Sequence, residues 1–246
     1  ILSSVSYDGK MKKWEWGKEW ILRESCDFPV GSVQKLFNDQ VAISDRKKIF
    51  LTGEVIEEID QEIIAFDEEI IVLKNGTVQN LTDSSSFSLN QKEIDAAAVY
   101  GKLIAVSHGT SLHIYQGCNE LFAVPDLGAR VTCMKFGNQG RILITADDKR
   151  RIKVLKCNNG EWIRESGQWC SHSARIDTLS MNEEGSIIFS AGVDGHIMAW
   201  SLEHCRFDPL FTVKNAHSAP IGKLLFLEKF NLLLSAGNDS CIRAWK

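Results

Sequence analysis

The sequence predicts an all-β fold of the propeller class, built from repeated units of about four short antiparallel strands. The first observation behind this prediction is an internal repeat, since SHSARIDTLSMNEEGSIIFSAGVDGHIMAW reappears as AHSAPIGKLLFLEKFNLLLSAGNDSCIRAW. The second is a series of strand-length apolar runs separated by Asp-Gly and Asn-Gly pairs, which favour tight hairpins. The third is the near absence of helical periodicity in the apolar residues.

The repeat keeps four residue types at one constant spacing: His172, Ser190, Asp194 and Trp200 recur as His217, Ser235, Asp239 and Trp245. Asp194-Gly195 joins two β-rich runs and is a strong hairpin signal. The core SAGVDGHIMAW is similar to that of a WD-repeat blade, and this resemblance implies one hydrogen-bonded set of Asp, His, Ser and Trp. We interpret the set as a structural tetrad, because a buried polar network stabilises a fold only when all its groups are paired.

An enzyme is the competing interpretation, since Ser, His and Asp are also the components of a catalytic triad. The structural interpretation is favoured because the set recurs together with a Trp, and because Ser190 lies inside a strand-like run. No convergent acid–base or metal-binding set appears elsewhere, and the seven cysteines are scattered without a C-x-x-C pair. We therefore expect no catalytic residue, no metal site and no cofactor.

A third copy of the repeat core opens the chain in ILSSVSYDGKMKKWEW, where Ser4, Asp8 and Trp14 keep the spacings of the later copies. Alternation along a strand predicts that the tryptophans of the three copies lie in the core, namely Trp14, Trp200 and Trp245. The other four are expected on outer strands or in incoming loops, where an exposed ring would be a candidate contact: Trp16, Trp20, Trp162 and Trp169.

The middle of the chain contains degenerate units that keep the strand period but not the whole tetrad. Turns are predicted near Asp45, at Asn75-Gly76 and near Asp147-Asp148, with Leu51 and Tyr115 in place of the Trp. We expect one propeller domain over 1–246 with blades at approximately 1–27, 28–59, 60–91, 92–127, 128–167, 168–213 and 214–246. Six blades, with a looser assignment between 38 and 95, are the alternative. The first blade lacks its inner strand and the last its outer strand, so closing strands are expected from sequence outside the chain.

The charge balance argues against a nucleic-acid-binding or membrane-spanning protein. The net charge is −4, and no apolar run is long enough to span a bilayer. The basic clusters Lys10–Lys13, Arg46–Lys48 and Lys149–Arg151 adjoin predicted turns, which favours solvated blade edges. Scattered cysteines and the lack of a signal peptide favour a reduced, cytoplasmic location.

Propellers offer the face that carries the turns and incoming loops as a binding surface. Side chains beside the turn Asp, or at the start of an inner strand, are expected to point to that face. The candidate partner-binding residues are Tyr7, Ser44, Arg130, Arg175, Val193 and Asn238. Tyr and Arg are favoured anchors in interfaces, although most exposed residues contribute little.

Three stretches resemble the second propeller of the actin-interacting protein 1 family, the two-propeller WD-repeat partners of cofilin. They are WCSHSARI at 169–176, SLEHCRFDPLFTVKNAH at 201–217, and the final LLLSAGNDSCIRAW. The resemblance implies a cytoskeletal protein that binds cofilin-decorated actin filaments and promotes their disassembly, with a second propeller upstream. The family's contacts lie mainly in that other propeller, so none of its functional residues can be carried over. A general WD-repeat scaffold or peptide-recognition subunit is the alternative.

Overall fold

The computed structural model describes residues 2–5, 10–16, 20–27, 32–37, 40–44, 48–51, 54–58, 61–67, 69–81, 83–165, 169–203 and 208–246. These residues form 26 β-strands in seven antiparallel sheets, together with a short 3-10 turn at Glu228–Phe230. They contain no α-helix, so the predicted all-β class is confirmed. The chain divides into two compact units, residues 1–93 and 94–246.

The unit 1–93 holds three sheets, each a meander in which strands pair with their neighbours in the chain. The first sheet comprises β1 (Leu2–Val5), β2 (Lys10–Trp16) and β3 (Trp20–Asp27). The second comprises β4 (Ser32–Phe37), β5 (Gln40–Ser44), β6 (Lys48–Leu51) and β7 (Glu54–Glu58). The third comprises β8 (Ile63–Phe66), β9 (Ile70–Leu73), β10 (Thr77–Asn80) and β11 (Ser86–Ser88). The predicted turn at Asn75-Gly76 is present, because Gly76 has a φ of 87° between β9 and β10.

The unit 94–246 holds four sheets of the same meander type. The fourth sheet comprises β12 (Ala96–Tyr100), β13 (Leu103–His108), β14 (Ser111–Gln116) and β15 (Asn119–Val124). The fifth comprises β16 (Val131–Gly137), β17 (Ile142–Asp147), β18 (Ile152–Asn158) and β19 (Glu161–Arg164). The sixth comprises β20 (Ile176–Met181), β21 (Ile187–Gly192), β22 (Ile197–Ser201) and β23 (Phe211–Val213). The seventh comprises β24 (Ile221–Leu227), β25 (Leu232–Gly237) and β26 (Ile242–Trp245).

Within the unit 94–246 the core lies between successive sheets. All six residues of β17 are buried, because both of its faces are covered. Ile142 and Ile144 belong to the apolar cluster shared with the sixth sheet, whereas Leu143 belongs to the cluster shared with the fourth. A third cluster, which includes Phe189 and Leu224, joins the sixth sheet to the seventh. Each central sheet is thus apolar on both faces, and neighbouring sheets stabilise one another by burying them.

The first strand of each of the last three sheets carries a register shift near its start. Thr132 lies at the shift of β16, and its hydroxyl donates to the carbonyl oxygen of Ile176 on β20 at 2.6 Å. A bulge of this kind leaves the extra residue outside the ladder. On β20, the Thr178 hydroxyl accepts a hydrogen bond from the Leu224 amide of β24 at 3.1 Å. Side-chain hydrogen bonds thus join these consecutive first strands.

Two of the four tryptophans expected on outer strands or in incoming loops have buried rings. Trp162 and Trp169 are 6% and 5% exposed. Trp162 turns inward from β19 and packs against Phe136, with ring centroids 6.1 Å apart. Trp169 stacks flat on Trp200, with centroids 5.3 Å apart and an interplanar angle of 3°. Both residues lie where they were expected, on an outer strand and in an incoming loop, but apolar clusters with neighbouring sheets cover their rings, so neither is an exposed contact.

The remaining tryptophans divide into one core residue, two partly buried ones and two undescribed side chains. Trp200 is 1% exposed, as predicted, whereas Trp14 and Trp245 are only partly buried. Trp245 lies on β26, the last strand of a sheet that has three strands in the described chain, so no fourth strand covers its edge there. The side chains of Trp16 and Trp20 lie outside the described residues.

Candidate functional site

The sixth sheet carries a continuous chain of hydrogen bonds through four side chains. The Trp200 indole N–H donates to Ser190 Oγ at 2.8 Å, and the Ser190 hydroxyl contacts His172 Nε2 at 2.7 Å. His172 Nδ1 lies 2.8 Å from Asp194 Oδ2. An ionised carboxylate can only accept, so Nδ1–H of His172 donates to Asp194. In a neutral imidazole Nε2 then carries no proton, and the Ser190 hydroxyl donates to it while accepting the indole N–H.

The seventh sheet repeats the arrangement, with distances of 2.9, 2.7 and 2.8 Å between the corresponding atoms of Trp245, Ser235, His217 and Asp239. It adds a cation, because Arg243 Nη1 donates to Asp239 Oδ2 at 2.7 Å. The hydrogen bonds from Arg243 and then His217 hold the pKa of the Asp239 carboxyl well below its usual range.

Burial decides between the structural and the catalytic interpretation of these sets. Ser190 and Ser235 are 0% and 1% exposed, and both histidines are buried as well. The serine oxygens already accept an indole proton, and a buried hydroxyl cannot reach the carbonyl carbon of a substrate. The geometry therefore supports a structural role, in which each set fixes the turn that bears its aspartate.

The aspartate of each set ties its turn to the incoming loop, the segment that leads into the first strand of the sheet. Asp194 accepts the His196 amide at 3.1 Å within the turn and the Ser173 amide at 3.0 Å from the loop. Gly192 is required beside this junction, because a Cβ there would overlap the Arg175 carbonyl oxygen. The turn and the loop are consequently held together as one rigid corner.

Three such corners in the unit 94–246 each contain the same kind of backbone hydrogen bond. In each, a turn amide donates to the carbonyl oxygen of the residue that precedes the first strand. The three pairs, at 3.0, 2.9 and 2.8 Å, are Asp148 with Arg130, Val193 with Arg175, and Asn238 with Pro220. We call these six residues the turn face. Four of them were candidate partner-binding residues from the sequence: Arg130, Arg175, Val193 and Asn238.

These four candidates all have exposed side chains. Arg130 is 62% exposed and pairs with Asp95 at 2.5 Å, and Arg175 is 58% exposed and pairs with Asp177 at 2.6 Å. The other two sequence candidates on this side, Tyr7 and Ser44, cannot be placed as side chains: Tyr7 lies outside the described residues, and Ser44 is described only in the backbone of β5. Of the first tetrad, Asp8 likewise lies outside the described residues and Ser4 is a backbone position of β1.

The fifth sheet replaces the tetrad with a buried ion cluster that sequence reasoning missed. Lys153, 2% exposed, donates to Asp147 Oδ2 at 2.7 Å, and Arg151 Nε donates to the same oxygen at 2.8 Å. Burial opposes ionisation of Asp147, but the hydrogen bond from Lys153 outweighs it, so the pKa of this carboxyl is lowered. The sequence feature that could have indicated this cluster is Lys153. It occupies the strand position that Met198 has in the sixth sheet and Arg243 in the seventh.

Other kinds of site receive no support from the described residues. They contain no group of three His, Cys, Asp or Glu side chains that could hold a metal ion, and no helix long and apolar enough to cross a membrane. Five of the cysteines are free thiols: Cys118, Cys133, Cys157, Cys170 and Cys241. The Cys133 thiol is buried, and this raises its pKa to about 12, so it is a poor nucleophile.

Stability at acid pH should depend on the Asp194 carboxyl. Burial opposes its ionisation, but the hydrogen bonds from the His172 side chain and from the His196 and Ser173 amides outweigh burial and lower its pKa to about 2. Because the pKa is lower in the folded than in the unfolded state, this stabilisation is complete above about pH 5 and is lost as the pH falls towards 2. We expect Asp194→Asn to remove about 2 kcal/mol of unfolding free energy at neutral pH and much less at pH 2. Urea titrations at several pH values measure this, with Glu184→Gln, an exposed carboxylate, as the control. A difference that does not shrink with acidification would contradict the assignment.

Comparison with known proteins supports the class that this geometry indicates. Residues 164–201, which span β21 and β22, match the family model described as "WD domain, G-beta repeat". The chain carries a WD40 repeat and has the fold of a WD40 β-propeller. Whether its seven sheets close as seven blades stays a prediction.

Two known proteins illustrate what the chain is similar to. The WD40 β-propeller domain of Doa1 superposes with a TM-score of 0.77 at 12% identity, covering 99% of this chain and 88% of that one. BEACH domain-containing protein B of Arabidopsis thaliana is 24% identical over 234 residues, which is 87% of this chain. The chain spans about 8% of the length of that relative. The resemblance to the actin-interacting protein 1 family stays a prediction.

Proposed function

We propose that this chain is a non-enzymatic protein-binding module that docks its partners on the turn face. The observation that carries the proposal is the rigid corner at Val193 and Arg175. Val193 is an apolar side chain that is 40% exposed, on a turn whose amide, aspartate and incoming loop are all hydrogen-bonded. An exposed apolar group beside an arginine on a preorganised backbone has the character of an interface anchor. Similarity to a short part of a much larger relative agrees with a module inside a longer protein.

Site-specific photo-crosslinking tests this proposal. A benzophenone amino acid is placed at Val193, at Asn238, or at Glu184. Glu184 is exposed in the turn between β20 and β21, at the opposite end of the strands of the sixth sheet. The full-length protein is irradiated in cells of its source, and the adducts are identified by mass spectrometry. We expect the same partner from Val193 and Asn238 and none from Glu184. Adducts from Glu184 alone, or equally from all three positions, would contradict the proposal.

Binding of cofilin-decorated actin filaments, and promotion of their disassembly, is a second candidate function, favoured by the segment 201–217. In its described part, Leu210 and Phe211 are adjacent and 53% and 51% exposed. Such an apolar pair at the edge of β23 suits a protein contact. The segment is also one of those that resemble the actin-interacting protein 1 family.

Co-sedimentation of the full-length protein with actin filaments, with and without cofilin, tests this second candidate. We expect cofilin-dependent binding and a larger unsedimented actin fraction, both reduced severalfold by Leu210→Ser/Phe211→Ser. Leu121→Ser, at a 45% exposed position of the outer strand β15, is the matched control and should have no effect. Unchanged sedimentation in the presence of cofilin would rule out the actin role and leave the general scaffold role.

A further inference from the structure

The turn of the fifth sheet places a cluster of positively charged side chains beside the turn face. Lys149, Arg150 and Arg151 are consecutive, and Arg130 and Arg175 flank them on the two nearest incoming loops. Hydrogen bonds join both loops to the turn. The Asp148 amide donates to the Arg130 carbonyl oxygen at 3.0 Å, and Arg150 Nη1 lies 3.4 Å from the Ser173 carbonyl oxygen. We call these five basic residues the basic ridge. The sequence alone had suggested only a solvated blade edge for 149–151.

Most carboxylates around the basic ridge are already engaged. Asp147 is buried against Lys153 and Arg151, so it presents no charge to solvent. Asp95 and Asp177 each pair with an arginine of the ridge and are less exposed than that arginine. Asp126 and Asp148 are the exposed acids of these loops, and Lys149 and Arg150 are the exposed bases outside the ion pairs. Arg151 and Lys153 together exceed the charge of Asp147 by one, so the cluster has one excess positive charge in a chain whose net charge is −4.

Two of the exposed cations donate to neutral carbonyl oxygens, and one of them, Lys149, also interacts electrostatically with the exposed Asp126 carboxylate. Lys149 Nζ donates to the Gly128 carbonyl oxygen at 3.1 Å, and Arg150 lies against the Ser173 carbonyl oxygen. A carbonyl orients a cation without cancelling its charge. Beneath them, the buried Nη2 of Arg151 has no hydrogen-bond partner among the described residues. The ridge thus holds more donors, and more positive charge, than its own acceptors satisfy.

We propose that the basic ridge recognises an acidic segment of a partner protein, with Lys149 and Arg150 as its central contacts. Glutamate or aspartate side chains supply the acceptors that the ridge lacks, and preorganised cations bind them with less loss of side-chain entropy. The negative net charge of the chain opposes a nucleic acid, whose phosphates would be repelled over the rest of the surface. The inference rests on the proposed function, since it names the chemistry of a partner at the turn face.

Fluorescence anisotropy with the full chain tests the proposal. The probe is a labelled peptide of alternating glutamate and serine, compared with a glutamine–serine peptide, a peptide with phosphoserine in place of glutamate, and a labelled DNA duplex. We expect binding of the glutamate peptide alone, weakening with added salt. Lys149→Glu/Arg150→Glu should weaken it at least about tenfold, the size expected for loss of two charge contacts and their reversal. Lys102→Glu/Arg141→Glu makes the same charge change on exposed residues at the opposite edge of the sheets and is the matched control.

Equal weakening by both double variants would overturn the proposal, since it would show a non-specific charge effect. Selective binding of the phosphoserine peptide or the duplex would overturn it as well. The crosslinking at Val193 separates this failure from failure of the proposed function. If Val193 captures a partner whose binding is insensitive to Lys149→Glu/Arg150→Glu, the protein-binding role stands and the acidic-segment proposal falls. If the glutamate peptide binds while Val193 captures nothing, the acidic-segment proposal stands and docking at the corner of Val193 is ruled out.

Discussion

Trp200→Ala is expected to lower the unfolding free energy by about 4 kcal/mol, the size typical of a large buried aromatic side chain. The substitution removes a ring that is 1% exposed and stacked on Trp169, and it deprives Ser190 of its indole donor. Trp245→Ala should cost about half as much, since Trp245 makes the same hydrogen bond to its serine but is only partly buried. Urea denaturation followed by far-UV circular dichroism measures both.

Two further variants sharpen this comparison. Trp200→Phe keeps an aromatic ring in the stack but loses the N–H. Its loss of unfolding free energy should therefore be less than half of the loss caused by Trp200→Ala. Phe230→Ala, at a position that is 55% exposed, is the control and should change stability by less than about 0.5 kcal/mol. Equal losses for Trp200→Ala and Trp245→Ala would contradict the argument from burial.

Asp147→Ala is expected to be comparably destabilising, by about 4 kcal/mol, because it leaves the Lys153 ammonium buried without an acceptor. Lys153 is 2% exposed, and Asp147 Oδ2 accepts its hydrogen bond. Adding Lys153→Met, the residue type at the same strand position of the sixth sheet, should restore at least about half of the loss. Urea denaturation of the two single variants and the double variant gives the coupling free energy.

The pH dependence of Asp147→Ala distinguishes a buried charge from lost packing. Burial already lowers the pKa of Lys153, and removal of its carboxylate lowers it further. The unfolded chain then binds a proton that the folded state cannot hold, so the stability of Asp147→Ala should rise between about pH 7 and pH 10. The double variant lacks the amine and should show no such rise. If the stability of Asp147→Ala does not change over this pH range, the loss of stability comes from the Lys149 and Arg151 amides, which also donate to Asp147.

Much of the fold could be predicted because it depends on local patterns. Asp194-Gly195 forms a hairpin since Gly195 takes a φ of 68°, which a side chain disfavours. Tyr115 was placed in the tryptophan position from its spacing, and the strand register agrees: it faces Ile104 as Trp200 faces Ile188. Such features are set by residues within one hairpin, so the sequence contains them whole.

What lies opposite each strand face was decided only by the tertiary structure. Trp162 and Trp169 were expected on an outer strand and in an incoming loop, and only the packed sheets show that their rings are covered. Lys153 sits where alternation demands a buried residue, and only the folded chain shows the carboxylate that makes this acceptable. By itself, the sequence determined the all-β class, the hairpin turns and the repeated His, Ser, Asp and Trp positions. The ion cluster lies within one hairpin, but the packing of the sheets determined the burial of Lys153. The same packing assembled the basic ridge, because it joins side chains from segments that only packing brings together.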